Sequence, residues 1–145
     1  MTQFNAHPVW QPLTDIPFPH SPQSLSPVSL AYLGDAVFEL YVRSRYLFPP
    51  RRISDFHRCV VAQVRAEQQA QLLDNLLPQL TDVEKEWVRR GRNAASSNRR
   101  ASPTLYQAAS GLETLLGYLY LTDLQRLDAL LVLAFPPERL EPSPN

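Results

Sequence analysis

Two acidic residues, Asp35 and Glu113, lie in apolar stretches of the sequence where a charge is costly to bury. Asp35 follows Gly34 within residues 30–41, and Glu113 is the only acid in residues 108–121. A carboxylate in such a setting needs a cation or hydrogen-bond donors to offset its lost hydration. Magnesium suits the pair, because it is commonly held by one or two carboxylates together with water and substrate phosphate oxygens. An ion held there would activate water as a nucleophile and stabilise a leaving oxygen.

Both stretches lack proline and are long enough for three helical turns, so each predicts a buried helix. Small residues in these stretches would let two helix backbones approach closely. These residues are Ala31, Gly34, Gly111 and Gly117. We therefore expect the two helices to pack face to face and to bring Asp35 and Glu113 to one metal site. The alternative is that each carboxylate pairs with an arginine or caps a local turn.

The rest of the chain also has helical patterns, and no strand-like alternation or repeat interrupts them, so we predict an all-α fold. Ser54 is expected to be an N-cap, and Thr81 with Glu84 has the spacing of a capping box. The predicted helices are residues 29–45, 54–77, 81–91, 104–121 and 123–134.

Composition places the chain among ordinary globular proteins. It has 145 residues, of which 44% are hydrophobic and 19% charged, and its prolines concentrate at the two ends. We expect residues 1–27 to form a Pro-rich arm, residues 28–134 one domain, and residues 135–145 a flexible tail. The single cysteine, Cys59, excludes an internal disulfide and suits a reducing compartment. We see neither a signal peptide nor an apolar run of about 18 residues, so we expect a cytoplasmic protein without a membrane partner.

Positive charge is concentrated in one region, although the formal net charge is zero. No acid lies between Trp87 and Leu112, and this region contains Arg89, Arg90, Arg92, Arg99 and Arg100. Small polar residues from Gly91 to Pro103 predict a mobile surface loop. Its arginines could bind phosphate in bidentate fashion, or they could form only a solvated surface.

Three segments of the sequence resemble the ribonuclease III family. Residues 32–39, Tyr-Leu-Gly-Asp-Ala-Val-Phe-Glu, are similar to the family signature, and residues 113–121 are similar to its second acidic helix. Residues 90–94, Arg-Gly-Arg-Asn-Ala, match a segment of the short Mini-ribonuclease III subfamily. The resemblance covers about residues 25–131.

The resemblance implies an all-α endonuclease domain that acts as a homodimer on double-stranded RNA. It implies magnesium catalysis by Asp35 and Glu113, with products that carry 5′-phosphate and 3′-hydroxyl ends. It further implies a role in the maturation of 23S ribosomal RNA precursors. The short subfamily has no separate double-stranded-RNA-binding domain, so the catalytic domain itself must contact the RNA. We expect these contacts from Arg90, Arg92, Asn93, Arg99 and Arg100.

Three positions depart from the family pattern. Longer members carry two further acids where this chain has Val28 and Ser110, and the short subfamily also lacks them, so the number of metal ions stays open. Ala95 stands where a lysine is expected. One cationic contact is therefore missing, or it is replaced by Arg99 or Arg100.

Glu39 lies one helical turn after Asp35 and has two possible roles. It could support the metal from the outer shell, or it could form an ion pair with Arg43 four residues later.

Two other functions are compatible with a helical domain of this kind. One is a non-catalytic RNA-binding module in ribosome assembly, against which the intact Asp35 and Glu113 argue. The other is a metal-dependent nucleotide pyrophosphatase, against which the lack of clustered Glu-x-x-Glu pairs on one helix argues.

Overall fold

The computed structural model describes residues 21–96 and 104–136. All regular structure in these two ranges is helical, which confirms the predicted all-α fold. None of the helices found there is long and apolar enough to cross a membrane. The α-helices are α1 (Pro27–Arg45), α2 (Ile53–Val64), α3 (Ala66–Leu76), α4 (Asp82–Ser96), α5 (Thr104–Thr122) and α6 (Leu124–Ala134), with short 3₁₀ turns at Pro22–Ser24 and Leu77–Gln79.

Helix α5 is the centre of the domain and packs against α1, α3, α4 and α6. Buried residues lie on every side of it, including Leu112, Leu115 and Leu116. A helix covered on all sides cannot keep a polar face, which explains why its sequence is apolar almost throughout. Glu113 therefore projects from the most enclosed helix of the bundle.

Helices α1 and α5 approach so closely that only glycine fits at their crossing. A β-carbon on Gly34 would lie 1.7 Å from the carbonyl oxygen of Glu113, and one on Gly117 would lie 2.0 Å from the carbonyl oxygen of Leu30. Real β-carbons essentially never come within 3.0 Å of another heavy atom in this way. The predicted face-to-face packing of the two acid-bearing helices is confirmed.

The predicted single helix over residues 54–77 is wrong, because the chain divides into α2 and α3 at Arg65. The backbone of Arg65 is extended, with φ −67° and ψ 154°, which interrupts the helical hydrogen bonds. The expected N-cap, Ser54, lies inside α2, and the N-cap position is Arg52. No proline or glycine stands at the break, so no local signal marked it.

The predicted end of a helix at Gly91 is also wrong, because α4 continues to Ser96. The glycine serves packing: a β-carbon there would lie 2.4 Å from the Oγ1 atom of Thr114 on α5. Gly111 on α5 faces α4 rather than α1, and its β-carbon would lie 3.0 Å from the carbonyl oxygen of Val88. Residues 91–96 of the predicted surface loop are thus helical, and residues 97–103 lie outside the described part of the chain.

The predicted capping box at the start of α4 is confirmed. The Thr81 amide donates to Glu84 Oε1 at 3.0 Å, and the Glu84 amide donates to Thr81 Oγ1 at 3.2 Å. Glu84 is buried and also pairs with Arg126 of α6 at 2.9 Å. Burial alone would raise the pKa of Glu84, but the hydrogen bonds from Arg126 and Thr81 hold it below its ordinary value. This ion pair joins α4 to α6.

The folded domain extends past both of its predicted edges. Phe135, the first residue of the predicted tail, is buried, and the centroid of its ring lies 5.8 Å from that of Phe38 and 5.7 Å from that of Tyr41. Leu25, near the end of the predicted arm, packs against the core. Both apolar side chains cover surface of the core that would otherwise meet water. Residues 1–20 of the arm and 137–145 of the tail lie outside the described residues.

Candidate active site

Asp35 and Glu113 line one cavity of about 290 Å³ beside the crossing of α1 and α5. Helix α1 contributes Asp35 to its wall, α5 contributes Glu113, and the second half of α4 forms a third side. The two carboxylates that the sequence predicted to converge therefore share a cavity. The other lining residues are Pro27, Val28, Ala31, Tyr32, Gly91, Ala94, Ala95, Tyr106 and Ser110.

The two carboxylates influence each other. Burial, together with the negative charge of Asp35, raises the pKa of Glu113 to about 7, although a hydrogen bond from the Gln69 side chain opposes this rise. Burial and the nearby charge of Glu39 raise the pKa of Asp35. A cation held between the carboxylates would offset both the lost hydration and the repulsion.

The lining of the cavity fits a hard divalent cation. Its charged groups are two carboxylates, which supply the oxygen ligands that magnesium prefers. No lysine, arginine or histidine is among the described lining residues, so no side chain there neutralises the acids. No group of three or more Asp, Glu, His or Cys residues forms a metal cluster within residues 21–96 and 104–136. Two carboxylates with water and phosphate oxygens are thus the ligand set that this cavity supports.

The three positions that depart from the family pattern all lie in the wall of this cavity. Val28 and Ser110 stand where longer members have acids, and Ala95 stands where a lysine is expected. Each departure replaces a charged group by a neutral one. Asp35 and Glu113 are consequently the only charged residues that line the cavity in the described chain.

Glu39 pairs with Arg43, with an N–O distance of 2.6 Å between largely exposed side chains. The ion pair proposed from the sequence is therefore present. The alternative role of Glu39, as outer-shell support of a metal, stays a prediction, although its charge is close enough to raise the pKa of Asp35.

Three of the predicted RNA-binding residues, Arg90, Arg92 and Asn93, lie in the part of α4 that walls the cavity. The guanidinium of Arg90 lies over the ring of Trp87, 4.3 Å from its centroid. The Cγ atom of Arg92 lies 3.1 Å from the point where a β-carbon on Gly111 would be. Stacking and packing of this kind fix the stem of an arginine while its guanidinium can still donate hydrogen bonds.

The other arginines of the basic region differ in their surroundings. Arg89 pairs with Glu86 on the same helix at 2.5 Å. Arg99 and Arg100 lie outside the described residues, so their predicted contacts with RNA stay a prediction.

Sequence reasoning missed Gln69 of α3. It is only 3% exposed, its side-chain nitrogen donates to the carbonyl oxygen of Val64 at 2.8 Å, and its amide opposes the rise in the pKa of Glu113. Gln69 shares the helical spacing of the buried residues Leu72, Leu73 and Leu76, and this register was the one signal that could have identified it as a buried polar group.

Comparisons with known proteins agree with this arrangement. The sequence model of the ribonuclease III domain matches residues 28–124. Mini-ribonuclease 3 of Synechocystis sp. is 73% identical over 95% of this chain and 97% of its own length. Mini-ribonuclease 3 of Gloeobacter violaceus is 53% identical over 75% of this chain and 82% of its own length.

A solved structure shares the fold. The crystal structure of a protein from Fusobacterium nucleatum superposes with a TM-score of 0.67 at 25% identity, and the match covers 78% of this chain and 98% of that protein. The helical fold, the matched domain and the extent of identity lead to one conclusion: the chain belongs to the ribonuclease III family.

Proposed function

We propose that this ribonuclease III family member is a magnesium-dependent endoribonuclease that cleaves double-stranded RNA, with Asp35 and Glu113 as its catalytic, metal-binding carboxylates. One observation carries the proposal: both acids line a single cavity that has no cationic side chain among its described lining residues. Membership of the family supports phosphodiester hydrolysis as the reaction. The resemblance supports products with 5′-phosphate and 3′-hydroxyl ends.

The chain's part in the reaction is to hold two carboxylates in fixed positions. Asp35 and Glu113 project from helices whose backbones meet at Gly34 and Gly117, so neither helix can move closer to the other. The partly buried setting of Glu113 lowers the local dielectric and strengthens its attraction for a cation. Magnesium, when bound by these oxygens, would supply the positive charge that activates water and stabilises the leaving oxygen.

Contacts with RNA are proposed for Arg90, Arg92 and Asn93, with Arg99 and Arg100 as further contributors. Duplex RNA is recognised mainly through its shape, its phosphates and its 2′-hydroxyls. The first three residues lie on the helix that walls the acidic cavity, which supports a path for the RNA backbone across this side of the domain.

We further infer that the active form is a homodimer. Val28 and Tyr32 on α1 are 64% and 86% exposed, although both line the cavity. An apolar rim of this kind suits a self-complementary twofold contact, which would set two sites against one duplex. Light scattering should give a dimeric mass, and Tyr32→Glu should give a folded monomer without cleavage activity. An active monomer would contradict this inference.

The proposed biological substrate is a precursor of 23S ribosomal RNA in the cytoplasm, as the family resemblance implies. Mapping of 23S ends in cells that lack the protein tests this proposal. Extended precursor ends would support it, and mature ends would refute it.

The direct test of the reaction compares substrates. Purified protein is incubated with duplex RNA, single-stranded RNA or nucleoside triphosphates, with and without magnesium. Cleavage of duplex RNA only in the presence of magnesium is the expected result. Hydrolysis of triphosphates without RNA cleavage would favour the pyrophosphatase, and binding of duplex RNA without cleavage would favour the non-catalytic module.

A further inference from the structure

Trp87 of α4 is a buried aromatic residue that supports a charged side chain at the surface. Its relative exposure is only 5%. The ring of Tyr118 on α5 stacks on the indole, with ring centroids 4.5 Å apart and 23° between the ring planes. The guanidinium of Arg90 lies over the same indole, 4.3 Å from its centroid. Because the core and Tyr118 fix the indole, the guanidinium of Arg90 rests on an immobile surface.

The hydrogen-bond donors of Arg90 are available to a partner from outside the chain. The neighbouring arginine, Arg89, donates to both carboxylate oxygens of Glu86, at 2.8 and 2.5 Å. Within residues 21–96 and 104–136, the Arg90 side chain forms no salt bridge, and its one contact of this kind is the stack on Trp87. A guanidinium carries several N–H donors in a rigid fork that matches a phosphate group.

Arg90 lies directly beside the acidic cavity. The next residue of α4, Gly91, lines the cavity that contains Asp35 and Glu113. The described wall of this cavity has two acids and no basic side chain, so it repels a phosphate in the absence of a cation. A guanidinium held next to this wall can bind a phosphate of the same RNA backbone without neutralising the two acids.

From these contacts we propose that Trp87 is a positioning residue that holds the Arg90 guanidinium ready to bind an RNA phosphate beside the cavity. The inference rests on the proposed binding of duplex RNA by Arg90. An arginine that moves freely loses rotamer freedom when it binds, and an arginine that is already stacked loses less. The cation–π attraction that holds it is present before RNA arrives.

The test is a double-mutant cycle on the affinity for duplex RNA, measured in calcium in place of magnesium. It compares the wild type with Trp87→Leu, Arg90→Ala and the double variant. Leucine keeps an apolar side chain in the core but removes the aromatic face. We expect Trp87→Leu to weaken binding roughly three- to tenfold, which corresponds to the cost of ordering one side chain. The double variant should bind like Arg90→Ala alone, because Trp87 acts through Arg90.

Phe38→Leu is the matched control for the loss of a buried aromatic ring. Phe38 is 1% exposed, and no arginine of the described residues lies over its ring. This variant should lower the melting temperature and leave the affinity for RNA unchanged. A folded Trp87→Leu chain with wild-type affinity would overturn the inference. The same loss of affinity in the presence and absence of Arg90 would also overturn it, because Trp87 would then act only through the fold.

A fluorescence measurement covers the case in which Trp87→Leu does not fold. The chain has two tryptophans, so Trp87 is the only one left in Trp10→Phe. Its emission should change when duplex RNA is added, because a phosphate then neutralises the charge that lies over the ring. The change should be absent when Arg90→Ala is added to this chain. Constant Trp87 emission in a chain that binds RNA would overturn the inference.

Failure of the inference can be distinguished from failure of the proposed function. Wild-type affinity in Arg90→Ala would overturn the inference together with the proposed contact of Arg90, and would leave cleavage by Asp35 and Glu113 untouched. A wild-type chain that neither binds nor cleaves duplex RNA would refute the proposed function itself.

Discussion

The buried charge of Glu113 should destabilise the metal-free protein at neutral and alkaline pH. Its pKa of about 7 compares with 4.5 for an ordinary glutamate. The folded chain therefore binds this proton more tightly than the unfolded chain does, and stability falls as pH rises from about 4.5 to about 7. At about 1.4 kcal/mol for each pH unit, the loss amounts to at most about 3 kcal/mol.

Glu113→Gln removes the titrating group and keeps the shape of the side chain. Urea denaturation in the presence of a chelator should show the variant to be more stable than the wild type at pH 8, by up to about 3 kcal/mol. The advantage should shrink toward pH 5. Added magnesium should stabilise the wild type at pH 8 and leave the variant largely unchanged, because a ligand stabilises only the state that binds it.

Glu67→Gln is the matched control, since Glu67 is exposed at the start of α3. This variant removes the charge of an exposed glutamate and leaves the buried charge of Glu113 in place. A stability difference between wild type and Glu113→Gln that does not change with pH would contradict a raised pKa at Glu113, as would a variant that is less stable than the wild type at pH 8.

Three further predictions follow from the packing and the charges. Gly34→Ala puts a β-carbon 1.7 Å from a carbonyl oxygen of α5, so it should lower the free energy of unfolding by about 3 kcal/mol or more, as measured by thermal denaturation. A variant with the melting temperature of the wild type would contradict the close crossing of the two helices. Arg126→Met leaves the buried Glu84 without its ion-pair partner, so it should lower the free energy of unfolding by about 3 kcal/mol at pH 7. The loss should become smaller at lower pH, where Glu84 is protonated. An unchanged free energy of unfolding in urea would contradict this prediction. Replacing Arg99 and Arg100 together by Ala should weaken duplex binding equally across RNA sequences and make the salt dependence of the affinity shallower. The affinity is measured in calcium. An unchanged affinity with an unchanged salt dependence would mean that these arginines form only a solvated surface.

The convergence of Asp35 and Glu113 could be predicted because the residues that cause it are neighbours of each acid in the sequence. Each acid lies among apolar residues with glycine nearby, and Gly34 and Gly117 are the contact points of the crossing. The capping box at Thr81 is likewise a local pattern, and it forms as expected.

The errors arose where tertiary packing decided the outcome. Glycine is typical of a helix end, but Gly91 lies inside α4, where it packs closely against Thr114 of α5. The break at Arg65 has no sequence signal, because arginine is a good helix former. The effect of Gln69 on the pKa of Glu113 could not be predicted, since it depends on how α3 lies against α5.

The most direct test of the central claim measures duplex RNA cleavage by Asp35→Asn and Glu113→Gln in saturating magnesium. Circular dichroism and RNA affinity in calcium serve as controls for folding and binding. Both variants should fold and bind duplex RNA like the wild type but should not cleave it, because a neutral amide is a poor ligand for magnesium. Wild-type cleavage by either folded variant would contradict a catalytic site built on these two carboxylates.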